Sequence, residues 1–208
     1  MDLHLWYAFV VATVVLLMIP GPTIILVLTY ALTQGRKVAV ASAAGVALGD
    51  LIAMTASLVG LGAVVLASAT LFTAIKWVGA VYLVWMGYGM IRSASTIDLA
   101  TAEAPALPAG QIFRDAAVVT ALNPKSIVFF IAFVPQFIAT DAPLLPQFSI
   151  LIATFVGLAF LNALFYALLA DRLRGTIRKP VVLAWMTRAG GSVLIAMGLA
   201  TATLRRAT

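Results

Sequence analysis

From Leu5 to Leu32 the chain carries no charged side chain. A helix needs ~20 apolar residues to cross a ~30 Å hydrocarbon core, and this run exceeds that. Lipid offers no hydrogen bonds, so such a run must pair its own backbone as helix. Five more apolar blocks follow, at about 38–67, 70–91, 112–139, 147–170 and 181–203. They predict an all-α, polytopic membrane protein with six transmembrane helices. Composition agrees, with 63% of the 208 residues hydrophobic and 10% charged. Soluble domains run nearer 45–50% and about 25%, so too few charges remain here to coat a water-exposed globule.

The first block interrupts itself. Ile19-Pro20-Gly21-Pro22-Thr23 sets two prolines around a glycine in mid-run. Proline removes a backbone donor and clashes with the preceding turn. The fourth block breaks similarly at Asn123-Pro124-Lys125-Ser126. The two segments align: PGPTIILVL from Pro20 with NPKSIVFFI from Asn123, and Thr23 with Ser126. GVALGD, from Gly45 to Asp50, likewise matches GLAFLN, from Gly157 to Asn162. VGAVYLVWMG, from Val78 to Gly87, matches AGGSVLIAMG, from Ala189 to Gly198. Three matches in order predict one transmembrane domain, 1–208, made of two repeats. Repeat one is about 5–91, the polar linker 93–111, and repeat two about 112–203. An odd number of spans per repeat makes the second copy inverted. In transporters of that kind the site lies near the midplane, at paired broken helices. A simple packing kink is the plainer reading of one proline. Two clusters at matching positions favour a site, whose exposed N–H ends suit a carboxylate.

Charges buried in such blocks point to the same place. Asp50 lies about twelve residues into the second block, roughly 18 Å deep. A carboxylate there is costly and is kept for a proton relay, a cation site or an ion pair. Asn162 is its uncharged counterpart in the second repeat. Lys125 follows directly on the second break, where it could attract a carboxylate or neutralise Asp50. Arg188 lies shallower and can snorkel to the interface. Gly45 and Gly49 form a small-xxx-small pair suited to close helix packing. Trp6, Tyr7, Trp77, Tyr82, Trp85 and Tyr88 read as interfacial anchors or packing.

Several classes are excluded. With no cysteine there are no disulfides, thiol chemistry or thiolate-held metals. His4 is the single histidine, so no metal cage assembles and no cofactor is expected. No nucleophile–base pair is visible, which argues against an enzyme. The net charge of +6 is not a nucleic-acid signature, because the basic residues lie mostly between blocks. Arg36, Lys37, Arg92, Arg114, Arg172, Arg174, Arg178 and Lys179 fall on one side. Lys76, Arg205 and Arg206 fall on the other. The positive-inside rule then places both termini outside. The basic stretch from Asp171 to Lys179 suits anionic lipid headgroups. The opening MDLHLWYAFVVATVV lacks a positive n-region and reads as a retained first span, not a signal peptide.

The PGP break, GVALGD, VYLVWMGYGMIRS and LNPKSIVFFIAFVPQF together resemble the LysE/RhtB family of amino-acid exporters, of the homoserine, threonine and leucine efflux type. The resemblance covers essentially the whole chain, in order. It implies a six-span protein of the bacterial inner membrane that exports amino acids or related metabolites in a proton-driven way. Carried onto matching positions, its motif residues are Pro20, Gly21, Pro22, Gly49, Asp50, Asn123, Pro124 and Lys125. The wider superfamily includes heavy-metal exporters and thiol-redox carriers, against which the absence of cysteine argues.

The expected partners are thus an amino-acid substrate, protons and membrane lipids. A homodimer is compatible with the glycine-bearing helix faces. The candidate site is Pro20, Gly21, Pro22, Thr23, Gly49, Asp50, Asn123, Pro124, Lys125 and Asn162. In it the broken ends and Lys125 would hold a carboxylate. Asp50 would take the substrate ammonium or the coupling proton, assisted by Asn162. A channel and a non-transporting membrane scaffold are the alternatives. Saturable, gradient-coupled flux would argue against the first, and a midplane cavity against the second.

Overall fold

The computed structural model describes residues 2–67, 69–94, 106–139, 142–172 and 180–203, and these contain no strand. The apolar blocks recur as helices. The first is a broken pair, α1 (Leu3–Met18) and α2 (Pro22–Gln34). A 3-10 turn at Gly35–Val38 then leads into α3 (Ala39–Ala67). Gly35 opens that turn at φ 72°, a backbone that a Cβ disfavours. The third block is α4 (Ala69–Ser93). The fourth is a second broken pair, α5 (Ala109–Ala121) and α6 (Pro124–Ala132), followed by a 3-10 turn at Val134–Phe137. The fifth and sixth are α7 (Leu144–Arg172) and α8 (Pro180–Thr203).

By length and apolarity, three stretches of the described residues can cross a membrane: Pro22–Ala63, Thr73–Ser93 and Leu144–Ala170. The pair α5–α6, bent by 44°, adds a fourth when taken as one span. Residues 95–105 of the linker lie outside the described residues, as do Arg174, Arg178, Lys179, Arg205 and Arg206. The side chains of Lys76 and Arg172 do too.

The helices turn apolar side chains outward in stripes. Leu3, Tyr7, Val11, Val14 and Met18 run down α1, and Trp77, Val81, Trp85 and Tyr88 down α4. Successive members are three or four apart, the spacing of one helix face. Patches of this size on a water-soluble monomer would be a liability, whereas lipid receives them at no penalty. Trp6 instead turns inward, its indole donating to Thr154 Oγ1 at 3.0 Å.

Glycines set the closest helix contacts. A Cβ on Gly45 or Gly49 would strike the backbone of α5, so α3 lies directly on it. On α4 and α8, Gly87 and Gly191 face each other reciprocally. A Cβ on either would meet the other's carbonyl oxygen. The next neighbours are Ile195 at 2.9 Å for Gly87 and Ile91 at 2.8 Å for Gly191, each four residues further along its helix. Gly79, Gly190 and Gly198 are also packed within the chain, while Gly60, Gly89 and Gly157 face open space. Much of the glycine surface that suited a homodimer is therefore already used internally.

Six buried phenylalanines, Phe9, Phe129, Phe130, Phe133, Phe137 and Phe155, fill the space between α1, α6 and α7. Phe130 meets Phe155 edge-on at 4.8 Å, and Phe9 meets Phe137 at 5.4 Å. Edge-to-face rings at such separations contribute beyond the area they bury.

Candidate functional site

The chemistry of the first break follows from its two prolines. A helix continues when the N–H of residue i reaches the carbonyl of i−4. Pro20 cannot donate to Leu16, nor Pro22 to Met18. The backbone turns extended at Ile19 and again at Gly21. The Leu16 carbonyl still accepts from the Ile19 N–H at 3.2 Å, but those of Leu17, Met18 and Ile19 are left without a backbone donor and must find another.

Side chains from the second half of the chain supply those donors. Lys125 Nζ donates to the carbonyls of Ile19 at 3.0 Å and Leu16 at 3.4 Å. Asn162 Nδ2 donates to Leu17 at 3.0 Å, and the Tyr166 hydroxyl to Met18 at 3.1 Å. Four successive carbonyls thus receive side-chain donors, and an ammonium sits at the negative end of the α1 dipole. Tyr166 was not among the sequence candidates. The signal for it was its spacing, four residues beyond Asn162 on one face of α7. Replacing Asn162 by leucine is expected to cost about 1–3 kcal/mol, because the Leu17 carbonyl loses its partner in a partly buried site. Tyr166→Phe should cost less, its hydroxyl lying nearer the surface. Thermal melting in detergent checks both.

The second break is organised by Asn123. It caps α6, its side-chain oxygen accepting from the Lys125 backbone N–H at 3.1 Å. Pro124 occupies the first helical position, where a missing N–H matters least. Asn123 Nδ2 also donates to Thr23 Oγ1 at 3.1 Å, and Thr120 Oγ1 lies 3.3 Å from the same oxygen. The two breaks therefore touch through Thr23 and Asn123, one hundred residues apart in sequence.

Between them is a cavity of about 20 Å³, room for about one water. Its polar lining is Thr23, Asp50, Asn123, Lys125, Ser126 and Asn162, with Leu16, Leu17, Ile24, Val46 and Ala159 completing it. Asp50 is 2% exposed, and its Oδ1 has no hydrogen-bond partner. It forms no ion pair with Lys125 within 4 Å, so an internal salt bridge between these two is not what the fold holds.

Thr23, Asp50, Asn123, Lys125 and Asn162 are brought together. Pro20, Pro22 and Pro124 shape the breaks without lining the cavity. Gly21 contributes space: its φ of −123° is ordinary, but a Cβ there would come within 3.3 Å of Lys125 Nζ. Gly49 is not at the cavity. A Cβ there would lie 2.5 Å from the Ala117 carbonyl oxygen and 2.7 Å from Thr120 Cβ, so it serves the α3–α5 contact. Arg188 is exposed on α8, outside the cavity. Ser126, the repeat partner of Thr23, lines the cavity without having been counted as a candidate.

Comparison with known proteins shows what this chain is similar to. A homoserine/homoserine lactone efflux protein of Salmonella typhimurium is 36% identical over 207 residues, covering 100% of both chains. An uncharacterized membrane protein of Vibrio cholerae is 33% identical, covering 99% of this chain and 100% of its own. A leucine efflux protein of Klebsiella pneumoniae is 31% identical over 66% of this chain and 65% of its own. No solved structure matches. The relatives named for a function are efflux transporters, not enzymes. The family model of the LysE type translocator matches residues 14–205, and the chain belongs to that family of amino-acid efflux transporters.

Proposed function

We propose that this chain exports amino acids or close derivatives across the bacterial inner membrane, in exchange for protons, by alternating access around the cavity between the two breaks. One observation carries the reading. Polar side chains of α2, α3, α6 and α7, drawn from both halves of the chain, converge on one small cavity that contains an unpartnered carboxylate oxygen. Buried polar groups are nearly always paired, so an orphan of this kind asks for a ligand or a proton.

The transport cycle builds on an inverted repeat with six crossings, α1–α2 and α5–α6 each counting as one broken span. Two sets of contacts between α4 and α8 support it: Gly87 packs on the carbonyl of Gly191 and on Ile195, and Gly198 packs on the carbonyl of Ala80 and on Val84. Pairing Ala80 with Gly191, Val84 with Ile195 and Gly87 with Gly198, as the sequence alignment does, carries one set onto the other. With both termini outside, the phenylalanine cluster lies on the outer side of the cavity and forms the closed outer barrier. Opening it would release substrate outward, and a shift on the α5 side would admit substrate from the cytoplasm.

The names of the relatives bear on the substrate. Homoserine and homoserine lactone share a primary ammonium, but the lactone has no free carboxylate. Applied here, the ammonium is the common handle and Asp50 its charge partner. The test is counterflow of a panel of amino acids and esters in proteoliposomes, with and without an imposed pH gradient. Saturable flux that responds to the gradient is the expected result. Flux that never saturates would favour a channel, and no flux for any compound would favour a scaffold.

A further inference from the structure

We infer that the carbonyl cluster at the end of α1 is itself an ammonium-binding subsite, and that Lys125 is its resident occupant, displaced when the ammonium of the substrate enters. This deepens the export reading and rests on it for transport, though the binding it describes can be measured without transport.

Lys125 extends its ammonium onto the carbonyls of Ile19 and Leu16; that of Ile19 stands open because of the extended turn there, and that of Leu16, which lacks the Pro20 donor, also accepts from the Ile19 N–H at 3.2 Å. An ammonium has three donors and no acceptor, and these two carbonyls occupy two of them. Asp50 lines the same cavity with Oδ1 unpartnered, although Lys125 is the cation nearest in kind to satisfy it. The fold thus places an ammonium on backbone carbonyls while leaving a buried carboxylate oxygen free. A primary ammonium entering from a substrate fits what remains. It takes over the carbonyls at the negative end of the α1 dipole, where a cation is stabilised, and gives its third donor to Asp50.

Space leads to the same conclusion. A cavity of about 20 Å³ admits a water and not an amino acid. The lysine stem is the flexible object whose withdrawal would enlarge it, and Gly21 keeps the path beside that stem clear of a Cβ. Lys125 then differs from the carboxylate anchor that sequence order alone places there. In the empty carrier it mimics the substrate, neutralising the carbonyl end so that the site is not left bare. Once displaced, it is available to the carboxylate when a substrate has one. Compounds with an ammonium and no carboxylate remain ligands, whereas compounds with a carboxylate and a blocked amine do not.

Two measurements on the full-length protein test this. The first is chemical rescue. Lys125→Ala is expected to melt at lower temperature in detergent than the parent. n-Butylammonium chloride should raise its melting temperature in a saturable way, and more than it raises that of the parent, with sodium chloride at equal ionic strength as control. Equal shifts in both proteins, or none beyond the salt control, would overturn the subsite. Should Lys125→Ala not fold, Lys125→Ser, which also removes the stem, takes its place under the same criteria. The second uses the parent protein: competition against leucine counterflow by leucine methyl ester and by N-acetylleucine. The ester should compete within about threefold of leucine, and N-acetylleucine at least about tenfold more weakly, as expected for loss of a charged hydrogen-bonding group. The opposite order, with the acetyl compound the better competitor, would return Lys125 to the role of carboxylate anchor and sink the inference. Saturable butylammonium rescue without flux of any amino acid would refute export while upholding the subsite.

Discussion

Asp50→Asn is expected to abolish pH-driven flux in proteoliposomes while leaving part of the substrate exchange. Asparagine keeps the shape of the side chain and removes both its charge and its titratable proton. Asp50 is buried on α3 and lines the cavity with Oδ1 unpaired. A hydrogen bond to a charged group is worth about 1.5–3 kcal/mol, so losing it should weaken substrate binding about ten- to hundredfold. The fold should persist, because removing a buried carboxylate relieves a desolvation cost and breaks no ion pair. Exchange needs no net proton movement and therefore survives, at a higher substrate concentration. Undiminished gradient-driven flux in this variant would remove Asp50 from the coupling role. Asp50→Ala, which also deletes the hydrogen-bonding amide, should lose exchange further.

Gly87→Leu and Gly191→Leu should each destabilise the protein by about 3 kcal/mol or more, toward or beyond the upper end for an overpacked site. The side chain introduced at either position would meet the carbonyl oxygen of the opposite glycine. Backbone cannot step aside as a flexible side-chain end can, so α4 and α8 must separate. Because the two glycines share one contact, a sharper expectation follows. The two single variants should cost nearly the same, and the double variant distinctly less than their sum, since the helices are already parted by the first change. Thermal melting of the four proteins in one detergent measures this. Additive losses would mean that the two glycines act on separate contacts.

Much of the fold could be read along the chain because its causes are local. Apolar length decides where helices form in lipid. The boundaries 38–67 and 70–91 accordingly fall within one or two residues of α3 and α4. The two breaks were also legible, since a proline lacks its N–H whatever surrounds it. That Thr23, Asp50, Asn123, Lys125 and Asn162 meet at one cavity follows from matching breaks and deep polar residues, which were visible in the sequence. Gly49 was harder, because its neighbour Asp50 turns to the cavity while Gly49 itself turns to α5. Adjacent helical positions differ by about 100° in direction, and no local rule says which of them faces inward.

The sequence by itself determined that this chain is a set of apolar helices, that two of its blocks must break, and that charged and amide groups lie deep beside those breaks. Each of these follows from backbone chemistry or from the character of single residues. Only the tertiary structure decided which donor meets which carbonyl. Lys125 reaches Ile19 across 106 residues, Asn162 reaches Leu17 across 145, and Tyr166 reaches Met18 across 148. Those pairings depend on how α1, α6 and α7 are rotated and packed, and packing is set by the whole bundle. A lysine expected to face a carboxylate was therefore found holding the carbonyls of a broken helix, with the carboxylate left free beside it.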